Sequence, residues 1–292
     1  MKITITGSLG NIGKPLTTIL VAAGHEVTVV SSSADRTSEI EHLKAKAAIG
    51  SINDADFLTE AMRGADSVFA MTPPNLGGSN ILANTVEAGK ALATAIAASG
   101  VKRVVMLSSI GAEHANGTGP IAGLHAIEAL YSTLENVSLT YLRAGYFYTN
   151  YFNDVPLIKG MGIIGANYPA STTIPLVHPA DISSAAAEEL TSAKTGTDTR
   201  FIVSQVLSAQ EIASILGTAI AKPELPWVEF TDEQSLDGMK QAGLPEEMAG
   251  LYTEMGTAIR KGLLSEEFEK QGSPIQGKTK CAEFAKTFAV AF

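Results

Sequence analysis

The chain begins with a β-branched run, residues 2–6, that passes without a break into Gly7-Ser8-Leu9-Gly10-Asn11-Ile12-Gly13. Ile12, Leu16, Ile19 and Leu20 follow at helical spacing, so residues 11–23 are expected to be a helix closed by Gly24. Glu26-Val27-Thr28-Val29-Val30 reads as a second strand. Glycines between a strand and a helix, inside a βαβ unit, constrain the fold more than any other feature of the chain. Gly7 allows the turn out of the strand, Gly10 lets backbone approach a diphosphate, and Gly13 lets the helix pack closely. The helix N-terminus at Asn11-Ile12 supplies free N–H groups for the same anion. The spacing is G-x-x-G-x-x-G rather than the usual G-x-G-x-x-G.

Strands and helices go on alternating. Helices are expected over 54–62, 79–99 and 121–134, and strands over 67–71, 103–107 and 139–143. Short connections between alternating elements mean a parallel sheet, and ligands bind outside the carboxyl ends of such strands. Those ends carry GSLGNIG, SSS, MTPPN, LSSIG and RAGYFYTN. After residue 152 the pattern loosens around Gly160, Gly162, Gly165 and Pro169. A helix over 181–190 with Asp181 near its start, a strand over 200–203 and a helix over 208–221 are expected next. Ser208 and Glu211 fit a capping box for the last of these. A short strand at 228–230 precedes a helical remainder. The expected fold is α/β, a Rossmann-type doubly wound parallel sheet with a small, mostly helical C-terminal lobe. Residues 1–152 would form the dinucleotide-binding domain. Residues 153–292 would form a substrate lobe, interleaved with and packed on the sheet.

The second strand end bears on the cofactor. NAD binders usually place a carboxylate there for the ribose hydroxyls. This chain has Ser31, Ser32 and Ser33, with Arg36 following. Hydroxyls and a guanidinium suit a 2′-phosphate, so NADP(H) is expected over NAD(H). A net charge of −9 argues against nucleic acid as a partner. The single cysteine, Cys281, forms no intramolecular disulfide and fits the reducing cytoplasm. No apolar stretch is long enough to span a membrane.

The ordered motifs GSLGNIG, VFAMTPPN, VVMLSSIGA, LTYLRAGYFYTN and VHPADISSAAAEEL resemble the NmrA-like family of atypical short-chain dehydrogenases. The C-terminal runs MKQAGLPEEMAGLYTEMGTAIRKGLL and GSPIQGKTKCAEFAKTFAVAF resemble that family's last helices, so the likeness covers nearly the whole chain. The family includes NADPH-dependent quinone reductases and NmrA-type redox-sensing regulators. The resemblance implies a Rossmann domain holding NADP(H) and a lobe closing a substrate cleft. It implies Gly7, Leu9, Gly10, Asn11 and Ile12 at the diphosphate, and Ser31, Ser32 and Arg36 at the adenosine ribose. Met71, Thr72, Pro73 and Pro74 would pass under the ribose and nicotinamide, and Ser108, Ser109, Tyr146 and Phe147 would line the nicotinamide end. The chain departs from the family at Gly50-Ser51, where Gly-Asp is frequent, and at Leu142-Arg143-Ala144, where Leu-Arg-Pro is frequent.

No tyrosine has a lysine four residues later: Tyr131 is followed by Glu135 and Tyr252 by Gly256. The Tyr-Lys proton shuttle of alcohol–ketone interconversion and sugar epimerisation is therefore missing. The remaining catalytic candidates are His125, close to where the family often carries Lys or His, and Ser109, the counterpart of the dehydrogenase serine. His114 and His178 are weaker candidates for the cleft, and no metal-ligand spacing is present. Tyr146, Phe147, Tyr148, Tyr151 and Phe152 form an aromatic run that either packs the core or stacks on a flat substrate. Direct hydride transfer from NADPH to a quinone or related conjugated carbonyl fits this inventory, because an electron-poor ring needs little acid catalysis. Two alternatives stand beside it: a non-catalytic NADP-sensing regulator that binds a protein partner, and an isoflavone- or lignan-type reductase with His125 as proton donor. A homodimer is the base-rate expectation.

Overall fold

A computed structural model of the chain describes residues 1–73 and 79–292. The first half runs β1 (Lys2–Ile5), α1 (Gly13–Ala22), β2 (Glu26–Ser31), α2 (Thr37–His42), β3 (Lys46–Ile49), α3 (Ala55–Met62), β4 (Ser67–Ala70), α4 (Ile81–Ser99), β5 (Arg103–Ser109), α5 (Ile121–Tyr131) and β6 (Ser138–Ala144). The second half runs β7 (Tyr146–Phe147), α6 (Val155–Met161), β8 (Ile164–Ala166), β9 (Thr173–Val177), α7 (Pro179–Leu190), β10 (Thr197–Ile202), β11 (Gln205–Ser208), α8 (Ala209–Ala219), β12 (Trp227–Glu229), α9 (Asp232–Gln241), α10 (Glu246–Arg260), α11 (Glu266–Lys270) and α12 (Cys281–Phe288).

Seven strands make one all-parallel sheet in the order β10-β6-β5-β4-β1-β2-β3. The order reverses between β1 and β4, the switch point at which ligand crevices open in doubly wound sheets. β4 shows how the sequence dictates this. All four of its residues are buried, as a strand covered on both faces requires. Phe69 points into an apolar layer shared with Leu16, Leu20, Ile182 and Leu190 of α1 and α7. Val68 and Ala70 point into the opposite layer with Leu58, Leu92 and Ile127 of α3, α4 and α5. β10 comes from well past residue 152, yet it pairs with β6 over its whole length.

Several short elements escaped the sequence reading, β3, β9 and β11 among them. β3 is an edge strand of Lys46-Ala47-Ala48-Ile49, too short and alanine-rich to show alternation. β9 and β11 pair antiparallel, the first just after the glycine-rich stretch and the second between the expected strand at 200–203 and the helix that follows. The capping box of α8 is present as expected: Ser208 Oγ accepts from Glu211 N at 3.2 Å, and Glu211 Oε2 accepts from Ser208 N at 2.7 Å.

The lobe has its own aromatic core. Tyr148 stacks on Phe284 with ring centroids 5.6 Å apart, and Phe152 meets the same ring edge-on. Tyr148, Tyr151 and Cys281 are all buried there. The lobe also reaches back to the sheet. The side chain of Asn80 caps nothing at the start of α4, and α4 has no acidic residue in its first turn. Glu247 of α10 supplies the cap, its carboxylate oxygens accepting from Asn80 N and Ile81 N at 2.6 Å each. No described helix is long and apolar enough to cross a membrane.

Candidate cofactor and substrate site

The glycine turn leaves β1 through two left-handed residues, Gly7 at φ 91° and Ser8 at φ 59°. A Cβ on Gly7 would collide with the end of the Met71 side chain, and one on Gly13 with the Ser8 carbonyl. Gly13 is therefore small to let α1 close on its own loop, not on the sheet as the sequence reading held. A Cβ on Gly10 would meet nothing nearer than Gly7 O at 4.0 Å, so it would project into open space above the turn. α1 starts two residues later than expected, and its N-terminus has neither a side-chain cap nor an acid in the first turn. Among the described residues, the N–H groups of Leu9, Gly10, Asn11 and Ile12 find no acceptor. This is a cradle of open N–H groups at a positive helix end, and the residues present fit a dinucleotide diphosphate. Thr6 holds the turn against the switch point, accepting from Met71 N at 2.8 Å and donating to Met71 O at 2.9 Å.

At the end of β2, Ser31 is buried. Its Oγ accepts from Ser8 Oγ at 3.0 Å, so this hydroxyl fastens the glycine turn to the strand end. Ser32 is exposed beside it. Arg36 lies on the surface with its guanidinium 2.7 Å from Glu39. Lys14 reaches the same carboxylate at 2.9 Å.

A cavity of about 280 Å³ opens at the other side of the switch point. Met71, Thr72 and Pro73 form one wall, with Ser108 and Ser109 at the end of β5 and Tyr146 and Phe147 of β7. Pro74 lies outside the described residues. Met248, Tyr252, Met255 and Ile259 of α10 roof it, and Ile81 and Thr85 of α4 close its flank. Its polar groups are hydroxyls and one amide, that of Asn150. No Asp, Glu, Lys, Arg or His lines it among the described residues. Burial pushes the Tyr146 and Tyr252 hydroxyls above the ordinary tyrosine value, so both stay protonated donors at neutral pH.

The two serines differ. Ser108 Oγ donates to Glu128 Oε1 at 2.5 Å. Glu128 is itself pinned by Arg143 at 3.1 and 2.7 Å. The Ser108 proton is thereby committed away from the cavity, and its oxygen can only accept there. Ser109 carries no such bond and keeps its donor. His125 does not line the cavity, although Ile121 and Leu124 of the same helix do. Its Nδ1 donates to the Ala112 carbonyl at 2.8 Å, which leaves Nε2 of the neutral ring an acceptor. His178 caps α7, its Nδ1 accepting from Ala180 N at 3.1 Å. His114 lies between Glu113 and Glu266, with Nε2 3.7 and 3.4 Å from their carboxylates. Neither borders the cavity.

The sequence reading missed the whole roof. The signal was there: Met248, Tyr252, Met255 and Ile259 recur at helical spacing on one face. It also passed over Lys14 and Glu39.

Residues 7–146 match the profile of the NAD(P)H-binding family. The chain is 27% identical over 298 residues to the NAD(P)H azoreductase of Xenophilus azovorans, covering 99% of each. Its fold is that of the NADPH-dependent quinone oxidoreductase of Escherichia coli solved with NADPH, at TM-score 0.82 and 17% identity over 98% of this chain and 99% of that one. The Citrobacter sp. triphenylmethane reductase matches at TM-score 0.81 and 22% identity, over 99% of this chain and 100% of that one. The profile spans the glycine turn, the β2 end and the strand ends that open on the cavity, and residues 7–146 of this chain are similar to it throughout that span.

Proposed function

We propose that the chain is an NAD(P)H-dependent oxidoreductase that passes hydride directly to a flat, electron-poor acceptor, a quinone or a related conjugated carbonyl. Residues 1–152 serve as the cofactor domain and 153–292 as a substrate lobe interleaved with the sheet, to which it gives α7 and β10. Leu9 to Ile12 hold the diphosphate, Ser32 and Arg36 face the adenosine ribose, and Ser108, Ser109, Tyr146 and Phe147 border the nicotinamide. NADPH is the preferred cofactor. Once bound, it supplies the hydride.

The observation that carries this reading is the chemistry of the cavity wall, which is apolar, aromatic and free of titratable acid–base pairs among the described residues. Reducing a simple ketone needs a proton delivered to a strongly basic alkoxide. A quinone oxygen becomes a weak base on reduction, and a neutral hydroxyl nearby is enough. Phe147, Tyr146 and Tyr252 stack on the ring and exclude water. Ser109 and the two tyrosines donate hydrogen bonds to the oxygen that gains charge. The hydride and one proton from solvent complete the hydroquinone. The azoreductase relative adds a second acceptor class to test.

Oxidation of NADPH at 340 nm across quinones, enones, azo dyes and saturated ketones is the direct experiment. Turnover of quinones or azo dyes with none of saturated ketones is expected. Tight NADPH binding with no oxidation by any acceptor, or equal turnover of saturated ketones, would overturn the proposal.

A further inference from the structure

Beside the adenosine end of the proposed cofactor site, three charged side chains from three elements meet on the surface. Lys14, the second residue of α1, places Nζ 2.9 Å from Glu39 Oε1. Arg36, in the single turn between β2 and α2, places a guanidinium nitrogen 2.7 Å from Glu39 Oε2. Each oxygen of one carboxylate is thus held by a different cation. The three side chains are 54%, 51% and 35% exposed, in the order Lys14, Arg36, Glu39, so the pairs are weak and their partners exchangeable. The hydrogen bonds from Lys14 and then Arg36 hold the Glu39 carboxyl below its ordinary range, so it is charged throughout the neutral range.

The cluster draws on the first turns of α1 and α2, and Arg36 follows exposed Ser32 by four residues, just past the β2 end where Ser31 fastens the glycine turn. Two cations there favour a ribose 2′-phosphate. A carboxylate at the same spot does the opposite, because it repels the phosphate and accepts hydrogen bonds from free ribose hydroxyls. We infer that Glu39 determines how strongly the chain discriminates between the two cofactors, by holding Lys14 and Arg36 when the ribose is unphosphorylated and competing with the phosphate for them when it is not. This inference rests on the NADP(H) reading given above. Glu39 narrows the preference and leaves a site that accepts both NADPH and NADH.

NADP⁺ and NAD⁺ differ only in the 2′-phosphate, and calorimetric titration with each, without acceptor, reads the site independently of turnover. Glu39→Gln keeps the shape and removes the charge. It is expected to tighten NADP⁺ by about three- to tenfold, the scale of one exposed charge, and to leave NAD⁺ unchanged or slightly weakened. Arg36→Met and Lys14→Met are expected to weaken NADP⁺ and spare NAD⁺. If Glu39→Gln leaves the NADP⁺/NAD⁺ ratio unchanged while the two cation variants lower it, the inference falls and the NADP(H) reading stands. If the cation variants also leave the ratio unchanged, both fall.

Discussion

The two ends of the site are built on opposite plans. The proposed diphosphate end is made of backbone N–H groups and missing side chains, drawn from seven consecutive residues, Gly7 to Gly13. The proposed substrate end is made of side chains from α4, β5, α5, β7, β9 and α10 and the segments beside them, up to 194 residues apart from Met71 to Ser265. On the proposed reading one end recognises a group that every dinucleotide shares, so a short stretch of geometry is enough. The other must fit one acceptor, and its shape depends on how the lobe is docked. The first plan tolerates almost no change at the glycines. The second spreads its function over many contacts, each of small effect.

That contrast can be broken or sharpened by substitution. The largest effect is expected from Gly10→Val. A Cβ there would meet nothing nearer than Gly7 O at 4.0 Å, so the side chain enters the open space above the turn. Losing two charge-assisted hydrogen bonds at about 1.5–3 kcal/mol each weakens cofactor binding on the order of a hundredfold or more. Calorimetry should show this with an unchanged circular dichroism spectrum, and retained binding would mean that the diphosphate lies elsewhere. An intermediate effect is expected from Glu247→Ala, which removes the cap that ties α10 to α4. A lost cap costs about 1 kcal/mol. Steady-state kinetics should show a raised KM for acceptor with the cofactor Kd unchanged, and an unmoved KM would make the contact purely structural.

The smallest effect concerns the lobe's buried chemistry. Burial pushes the Asp154 carboxyl up to about 7, from an ordinary value of 3.8. The folded state therefore favours the protonated form. The cost of ionising it is absent below pH 4, grows between about pH 4 and pH 7, and is complete above. Asp154→Asn should raise the melting temperature at pH 8 by roughly 2–4 °C for each kcal/mol relieved, and leave it unchanged at pH 4. Equal shifts at both pH values would assign the effect to packing instead of charge.

The same contrast decides what could be read from the chain in advance. The glycine turn, the parallel sheet and the strand-end rim were legible because each is local: a β-branched run, a helical period, a glycine where φ is positive. Met71, Thr72, Ser108, Ser109, Tyr146 and Phe147 all border the cavity because topology brings the strand ends to one rim. His125 was chosen on its place in a helix, and a difference of one position turns its ring toward the Ala112 carbonyl while Leu124 faces the cavity. The aromatic run after β6 was ambiguous for the same reason. Tyr146 and Phe147 border the cavity, whereas Tyr148 and Tyr151 are buried in the lobe. The α10 roof was periodic, but nothing in the period says what the apolar face covers. Glu39 looked like an ordinary helix residue until folding set it between Lys14 and Arg36.

The late strand β10 carries a consequence for how this chain can be divided. It supplies the outer neighbour of β6, and α7, just before it, packs against α1. A fragment ending at residue 152 would keep every glycine of the cofactor turn. It would also bare the hydrogen-bonding edge of β6 and the apolar side of α1, a template for self-association. The functional halves are therefore not separable modules, and exchanging lobes between relatives to alter acceptor choice requires junctions that carry α7 and β10 with the sheet.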